Sequence, residues 1–410
     1  MVRGWRWLKV LRSLSASWGL TCDLLSCRDY NPISMEAAEM TRLRAAVVVA
    51  ATVMAGAYVL AQGAPSPFKL GTFERQGRAF VGIVLRESVV IDFGAAHAAI
   101  RTPASTVAAP TDMKDLIARY DGGLRARIVD IVRTVGDPPA GNRPAYVYDV
   151  GALKILPPIM YPTNMLNVAV NYREHDIEMA RIRAGGGPAP TAGNAPQGTV
   201  SAPGIWERAA GDMRWNPFMF IKTAGAIVAE GEQVRLPVGR TQIEWECELG
   251  VVIGRPASRV PQARALDFVF GYTLENDMSD RGGRGDTRFG SDWLITKNHD
   301  TFAPMGPFIT PKEFIKDVGA LGMRFSLNGQ LLQEGTTTQM IHTVPEQLVY
   351  ASNILTLRPG DVIATGTPPG VGSARTPPIL LKAGDRMTCT YDGVGTLTNP
   401  VVAPQAAGGR

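Results

Sequence analysis

The sequence predicts an α+β protein, mainly β, and three observations carry that expectation. Its 30 prolines and 44 glycines favour many turns and short strands over long helices. Between Phe68 and Phe93, three β-rich runs are separated by polar breaks at Glu74–Arg78 and Arg86–Glu87, the pattern of a meander. From Ile243 to Leu249, apolar and acidic residues alternate strictly, which is the period of a strand.

With 410 residues the chain has room for a substantial core. The formal net charge of +5 is concentrated at the N-terminus: residues 1–61 hold seven Lys/Arg and four Asp/Glu, leaving 42−7 = 35 basic against 37−4 = 33 acidic residues. No basic stripe with interleaved aromatics occurs, so nucleic acid is not expected as a partner. Residues 1–61 are read as an extension followed by a signal. Thr-Arg-Leu-Arg precedes an apolar run, Ala45–Ala61, that ends on small residues, the organisation of a secretory signal peptide. Met35 or Met40 is the more natural start. Export, periplasmic in a bacterium, and no stable membrane association after cleavage are the expectations; an uncleaved N-terminal anchor is the alternative. Cys22 and Cys27 fall in this excluded part, and Cys247 with Cys389 alone gives no disulfide framework and no thiolate metal cluster.

Residues 62–160 read as a small N-terminal β-rich domain. Thr111-Asp112 caps a helix through Tyr120 that Gly122-Gly123 stops, and a second helix runs to about Val135. Residues 161–404 read as the catalytic domain, and 405–410 as a tail. Within it, a buried strand ending Asn171-Tyr172 leads into a helix start where His175 and Glu178 stand three apart, on one helical face. A carboxylate that orients a histidine makes a general base; the alternative is a surface pair. The stretch 183–213 is rich in Gly, Ala and Pro and reads as an insertion or a lid. Pro217–Lys222 reads as another strand.

The alternating stretch places Ile243, Trp245, Cys247 and Leu249 towards a core and Glu244, Glu246 and Glu248 on the opposite face. Successive carboxylates there are ~6.6 Å apart, two strand rises, and like charges so placed destabilise a sheet. Either a hard divalent cation with oxygen ligands neutralises them, or the face is exposed and paired with basic neighbours. A strand from Phe268 ends on Asn276-Asp277, where Asp277 offers a third oxygen, and Lys297 offers a fixed positive group. Asn328-Gly329 predicts a hairpin, Thr343–Asn353 a helix. The Gly/Thr loop that follows Ile363 offers N–H groups and hydroxyls to an anion such as a substrate carboxylate.

Five ordered motifs resemble the fumarylacetoacetate hydrolase family: Asn171-Tyr-x-x-His175-x-x-Glu178; Glu246-x-Glu248-Leu-x-Val-Val-Ile-Gly; Gly271-Tyr-Thr-x-x-Asn-Asp277-Met-Ser; Lys297-x-x-Asp-Thr-Phe-x-Pro-x-Gly-Pro; and Gly360-Asp-Val-Ile-x-Thr-Gly-Thr-Pro-x-Gly-Val-Gly. The resemblance spans about residues 66–402 and implies a mixed β-sandwich roll in the catalytic domain, a homodimer, and Mg²⁺, Mn²⁺ or Ca²⁺ as cofactor. It implies Glu246, Glu248 and Asp277 as metal ligands, His175 and Glu178 as a water-activating dyad, and Lys297 as the active-site lysine. Tyr172, Arg281 and Thr367 are the expected substrate contacts. The implied activity is hydrolysis of a C–C bond in a small 2,4-diketo acid such as an acylpyruvate. Decarboxylation or isomerisation of related keto and enol acids is the alternative, and an exported protein that only binds metal and carboxylate is a second. Two departures stand out: Asp280-Arg281-Gly-Gly where many members have Ala-Arg-Asp and then a Gln, and His299 where Phe is common.

Overall fold

The computed structural model describes residues 66–136, 138–183, 201–282 and 292–405. The expected signal, much of the 183–213 insertion and most of the tail therefore lie outside the described residues. Among those described, no helix is long and apolar enough to cross a membrane.

Alternating apolar residues build the meander as expected: Lys69–Arg75, Arg78–Leu85 and Val89–Asp92 pair antiparallel in sequence order. Asp92 then caps the next helix by accepting from the Ala95 N–H, and Asp112 does the same for helix Met113–Ala118 through Asp115 N–H. The meander does not stand apart. Lys69–Arg75 pairs with Ala303–Pro311, which continues through Val269–Asn276, Cys247–Ile253 and Val362–Ala364 to Met165–Val168 and the edge strand Met219–Ile221. Residues on both sides of the expected boundary at 160 thus share one twelve-stranded sheet. A five-stranded sheet, Gln330–Thr336, Gly322–Leu327, Arg386–Tyr391, Gly395–Val402 and Val234–Arg235, faces it. This mixed, mainly β two-sheet body is the architecture the sequence predicts. The Asn328-Gly329 hairpin forms with both residues at positive φ (53° and 83°), the conformation that suits the twist of its strands.

The central strands carry apolar cores on both faces. From Cys247–Ile253, the residues Cys247, Leu249, Val251 and Ile253 enter the core against the five-stranded sheet, where Trp245 stacks on Phe325 with ring centroids 5.0 Å apart. Val252, pointing the other way, joins a second core with the meander and the helices around Leu116 and Ile128. On that second face the same strand turns acidic towards its start. The alternating stretch is not one continuous strand, because Ile243–Glu244 pairs separately with Ser279–Asp280 before the main strand begins at Cys247. Its acidic face is also buried, which removes the exposed-strand alternative.

A docked loop closes one side. Helix Val344–Ile354 starts with Thr343 and Glu346 in a capping box. Residues 201–216 lie along it: Arg214 donates to Glu346 and to the Ile341 carbonyl (2.8 and 2.7 Å). Trp206 meets His342 edge-on at 5.7 Å. Burial first, and Arg214 second, press the His342 pKa down from 6.5 to about 4. Between those values the unfolded chain binds a proton that the folded chain refuses, so this histidine's contribution is lost as pH falls through the window. His342→Phe keeps the ring packing and should remove ~2–3 kcal/mol of the acid-side loss. Urea unfolding of both proteins at pH 7.5 and 4.5 checks this, and equal losses would assign the acid sensitivity to other groups.

Candidate active site

Two strands and one short helix bring the polar groups together. Antiparallel pairing sets Glu248 opposite Glu275 and Cys247 opposite Asn276, so side-chain alternation puts Glu246, Glu248, Glu275 and Asp277 on one face. The ligand oxygens of Glu246, Glu248 and Asp277 all lie within 4.8 Å of one another. Helix Trp293–Lys297, capped by Asp292, delivers Lys297, whose Nζ donates to Glu246 Oε2, Asp277 Oδ2 and Ser279 Oγ at 2.7, 2.6 and 2.7 Å. Lys222, fully buried at the end of the edge strand, donates to Asp277 Oδ1 at 2.6 Å and to the Met278 carbonyl. Arg281 donates to both Glu244 and Glu246.

Glu244 completes its shell with the Ser373 N–H at 2.5 Å, which explains why the third carboxylate of the alternating stretch is no ligand: its two oxygens are already occupied. Asn167 donates to Glu275 Oε2 at 3.1 Å, while Glu275 Oε1 is buried without a partner.

The charges do not balance. Among the described residues, five buried carboxyls (Glu244, Glu246, Glu248, Glu275, Asp277) face three cations (Lys222, Lys297, Arg281), an excess of 5−3 = 2 negative groups. Their protonation reflects this. Burial pushes Glu248 well above the usual carboxylate range, and repulsion from Asp277, Glu275 and Glu246 adds to it. Glu275 is raised by burial and by Asp277. For Glu246, burial is outweighed by Lys297 and Arg281, which hold it below the ordinary range. Lys297 is raised, because Asp277 and Glu246 overcome its burial. An all-oxygen donor set with two uncompensated carboxyls fits a hard divalent cation.

Beside the carboxylates, helix Arg173–Arg183 presents the pair expected from the sequence. His175 Nδ1 lies 2.9 Å from Glu178 Oε2, and His175 is near enough to Glu246 to act on its charge. Glu178 in turn accepts from the Gly370 N–H at 2.9 and 3.2 Å. With the Nδ1 proton given to Glu178, Nε2 is left as the basic atom.

The loop after Ile363 works differently from expectation. Three of its donors engage the protein's own groups: Gly366 N–H on Glu248 Oε2 (2.8 Å), Gly370 N–H on Glu178, and the Thr367 hydroxyl on the Cys247 carbonyl (3.0 Å), with Gln333 donating to that hydroxyl. Glycine is required at both points. Gly366 has φ +88° and a Cβ there would sit 2.7 Å from Asn171 Cβ; Gly370 has φ +108° and a Cβ would sit 2.2 Å from the Leu332 carbonyl oxygen. Of the expected substrate contacts, Thr367 and Arg281 are engaged within the protein, and Tyr172 is fully buried in the core beside Tyr391. Sequence reasoning passes over Lys222, Ser279 and Glu275. Glu275 is accessible to it, since it stands two residues before Asp277 on a strand and so shares its face.

The family model described as fumarylacetoacetate (FAA) hydrolase C-terminal matches residues 164–402. The chain belongs to the fumarylacetoacetate hydrolase family. It is 30% identical over 338 residues to an oxaloacetate tautomerase of Bacillus subtilis, an alignment covering 81% of this chain and 99% of that one. It is 35% identical over 250 residues to a mitochondrial oxaloacetate tautomerase of Xenopus laevis (61% of this chain, 69% of the relative). Among solved structures, the maleylpyruvate hydrolase of Sphingobium in complex with manganese(II) and pyruvate superposes with a TM-score of 0.59 at 25% identity, covering 82% of this chain and all of the other. The chain is therefore an enzyme of a family whose relatives include hydrolases, isomerases and tautomerases.

Because burial and the neighbouring carboxylates favour the protonated form of Glu248, metal binding should be coupled to proton release. A carboxyl raised in the folded state also makes the metal-free protein lose stability as pH rises above the usual carboxylate range, so the gain on adding Mn²⁺ grows with pH. Titration calorimetry with Mn²⁺ in buffers of different ionisation enthalpy, and melting temperatures with and without Mn²⁺ at pH 6 and 8, test both points. A buffer-independent heat and a constant thermal shift would contradict a protonated Glu248.

Proposed function

We propose that this enzyme acts on a small 2-keto acid and moves a proton at the carbon next to the ketone, with an oxaloacetate-like dicarboxylate as substrate and His175 as the base. The observation that carries the reading is the His175–Glu178 pair, set beside three convergent carboxylates and fixed from behind by the Gly370 N–H.

Glu246, Glu248 and Asp277 would hold the divalent ion, which when bound supplies a Lewis acid for the substrate's carboxylate and keto oxygens. Glu178 keeps the imidazole in one tautomer and orientation. His175 Nε2 takes the C3 proton from the keto form; the electron pair passes to the keto oxygen, and reprotonation there gives the enol. Lys297 favours the ionised form of Glu246 and holds Glu246 and Asp277 in place, and Lys222 fixes the second oxygen of Asp277. Phe220, under the Lys297 ammonium at 5.1 Å, keeps that corner apolar and so strengthens the charge interactions.

Hydrolytic cleavage of an acylpyruvate is the second reading, supported by the likeness to the maleylpyruvate hydrolase. There His175 takes its proton from water, the hydroxide adds to the distal carbonyl, and the C–C bond breaks to give a carboxylate and pyruvate. Sequence motifs alone put hydrolysis first; higher identity to tautomerases than to the hydrolase reverses the order. We also propose export of the mature chain. The Ala45–Ala61 signal pattern supports it, and so does a disulfide between Cys247 and Cys389, a bond that persists in oxidising compartments.

Two assays with Mg²⁺ or Mn²⁺ separate the readings: decay of the enol absorbance of oxaloacetate, and pyruvate release from acylpyruvates. Enol turnover without pyruvate release supports tautomerisation, pyruvate release supports hydrolysis, and neither across the panel would sink both. His175→Ala should lower kcat/KM by ~10²–10⁴-fold while Mn²⁺ affinity by calorimetry stays within about threefold. Lys297→Met should instead lower the melting temperature of the metal-free protein, because it leaves Glu246 and Asp277 buried without their shared cation, and Mn²⁺ should restore more stability than it adds to the wild type.

A further inference from the structure

Cys247 and Cys389, 142 residues apart, form a disulfide between the two sheets, with Cα atoms 5.6 Å apart. The sequence reading that these two cysteines give no disulfide framework is corrected to this extent: they form one cross-link. Their separation along the chain hides a proximity that sheet packing creates.

We propose that this disulfide is a positioning element of the carboxylate site, set once during folding. The inference rests on the metal-binding reading of Glu246, Glu248 and Asp277. Cys247 is the residue between two of those three carboxylates, and strand geometry sends its side chain to the opposite face from theirs. Sulfur points into the core under the five-stranded sheet; the carboxylates point into the site. Any roll of this strand about its own axis therefore moves Glu246 and Glu248 together.

The strand needs such a restraint where the bond is placed. Cys247 is its first residue, after the break at Trp245–Glu246, so ladder hydrogen bonds are fewest there. Cys389, by contrast, sits inside a strand paired on both sides, opposite Phe325 and Leu397. The bond thus ties the first residue of the ligand-bearing strand to a fixed strand centre. The backbone groups of Cys247 itself pair outside the ladder, its N–H with Gln333 Oε1 at 3.3 Å and its carbonyl with the Thr367 hydroxyl, while Glu246 beside it donates to Asn276 Oδ1 and accepts from the Asp277 N–H.

Both cysteines are buried, at 0% and 1% exposure. Thiol–disulfide exchange needs access to a sulfur, so the folded protein resists reductants and the bond is no reversible switch. It forms before the core closes. Two thiols are oxidised by the disulfide of an oxidant, whose own bond is reduced to a dithiol as it takes up the two electrons and two protons.

The test uses the full chain. Peptide mapping of unreduced protein should find Cys247 and Cys389 peptides joined and two hydrogens lighter than their sum. The double variant Cys247→Ala/Cys389→Val should keep the wild-type circular dichroism, bind Mn²⁺ about tenfold more weakly, and show an altered electron paramagnetic resonance spectrum for bound Mn²⁺. Native wild type treated with dithiothreitol should bind as before. If the double variant does not fold, wild type produced under reducing conditions replaces it in the same Mn²⁺ titration, with the same expectation. A lower melting temperature with Mn²⁺ affinity unchanged would reduce the bond to a general staple and overturn the proposal alone. Absence of Mn²⁺ binding by the wild type would overturn the metal reading, and the proposal with it.

Discussion

Charge withdrawn from water governs this structure. Glu244, Glu246, Glu248, Glu275 and Asp277 are all buried within two strands and their connections, where an unpaired ion costs several kcal/mol. Lys222, Lys297 and Arg281 offset part of that cost: Lys222 is tied to one carboxylate oxygen, and Lys297 and Arg281 each bridge two carboxylates. The remainder is held as protons or is available to a cation. Binding and fold stability therefore draw on the same electrostatics, and the strands around the site are ordered by it as much as by their ladders.

The strand Cys247–Ile253 mediates between the two. One face joins the larger core through Leu249, Val251 and Ile253; the other passes from Val252, packed under the meander, to Glu248. Apolar burial at one end of a face thus fixes acidic burial at the other, since a shift of one residue would exchange the faces entirely. That is why residues 66–160, which carry none of the site's carboxylates, still bear on it: they cover the apolar end of the ligand strand.

Much of this is legible from residues alone, and the limits have physical causes. The two-residue alternation of Glu246 and Glu248, the three-residue spacing of His175 and Glu178, the Asn328-Gly329 turn and the helix from Thr343 are local signals, and each appears in the fold as read. Glu244 shares the alternation but not the role, because its neutralising partners, Arg281 and Ser373, come from elsewhere in the chain. Lys222 closes an apolar run and looks like a solvated strand end until Asp277 is placed against it. The Gly366–Gly370 loop does hold carboxyl groups, as its composition advertises, but they are the protein's own Glu248 and Glu178. Pairings between distant segments set these outcomes, and periodicity carries no information about them.

That loop has a consequence for how such a scaffold can diversify. Five consecutive residues hold a prospective ligand at one end and the carboxylate behind the base at the other, so the two halves of the chemistry cannot be tuned separately through it. A change of reaction within this framework has to come from side chains outside the Gly366–Gly370 loop. The inner machinery behaves as a single inherited cassette, and selectivity is written outside it.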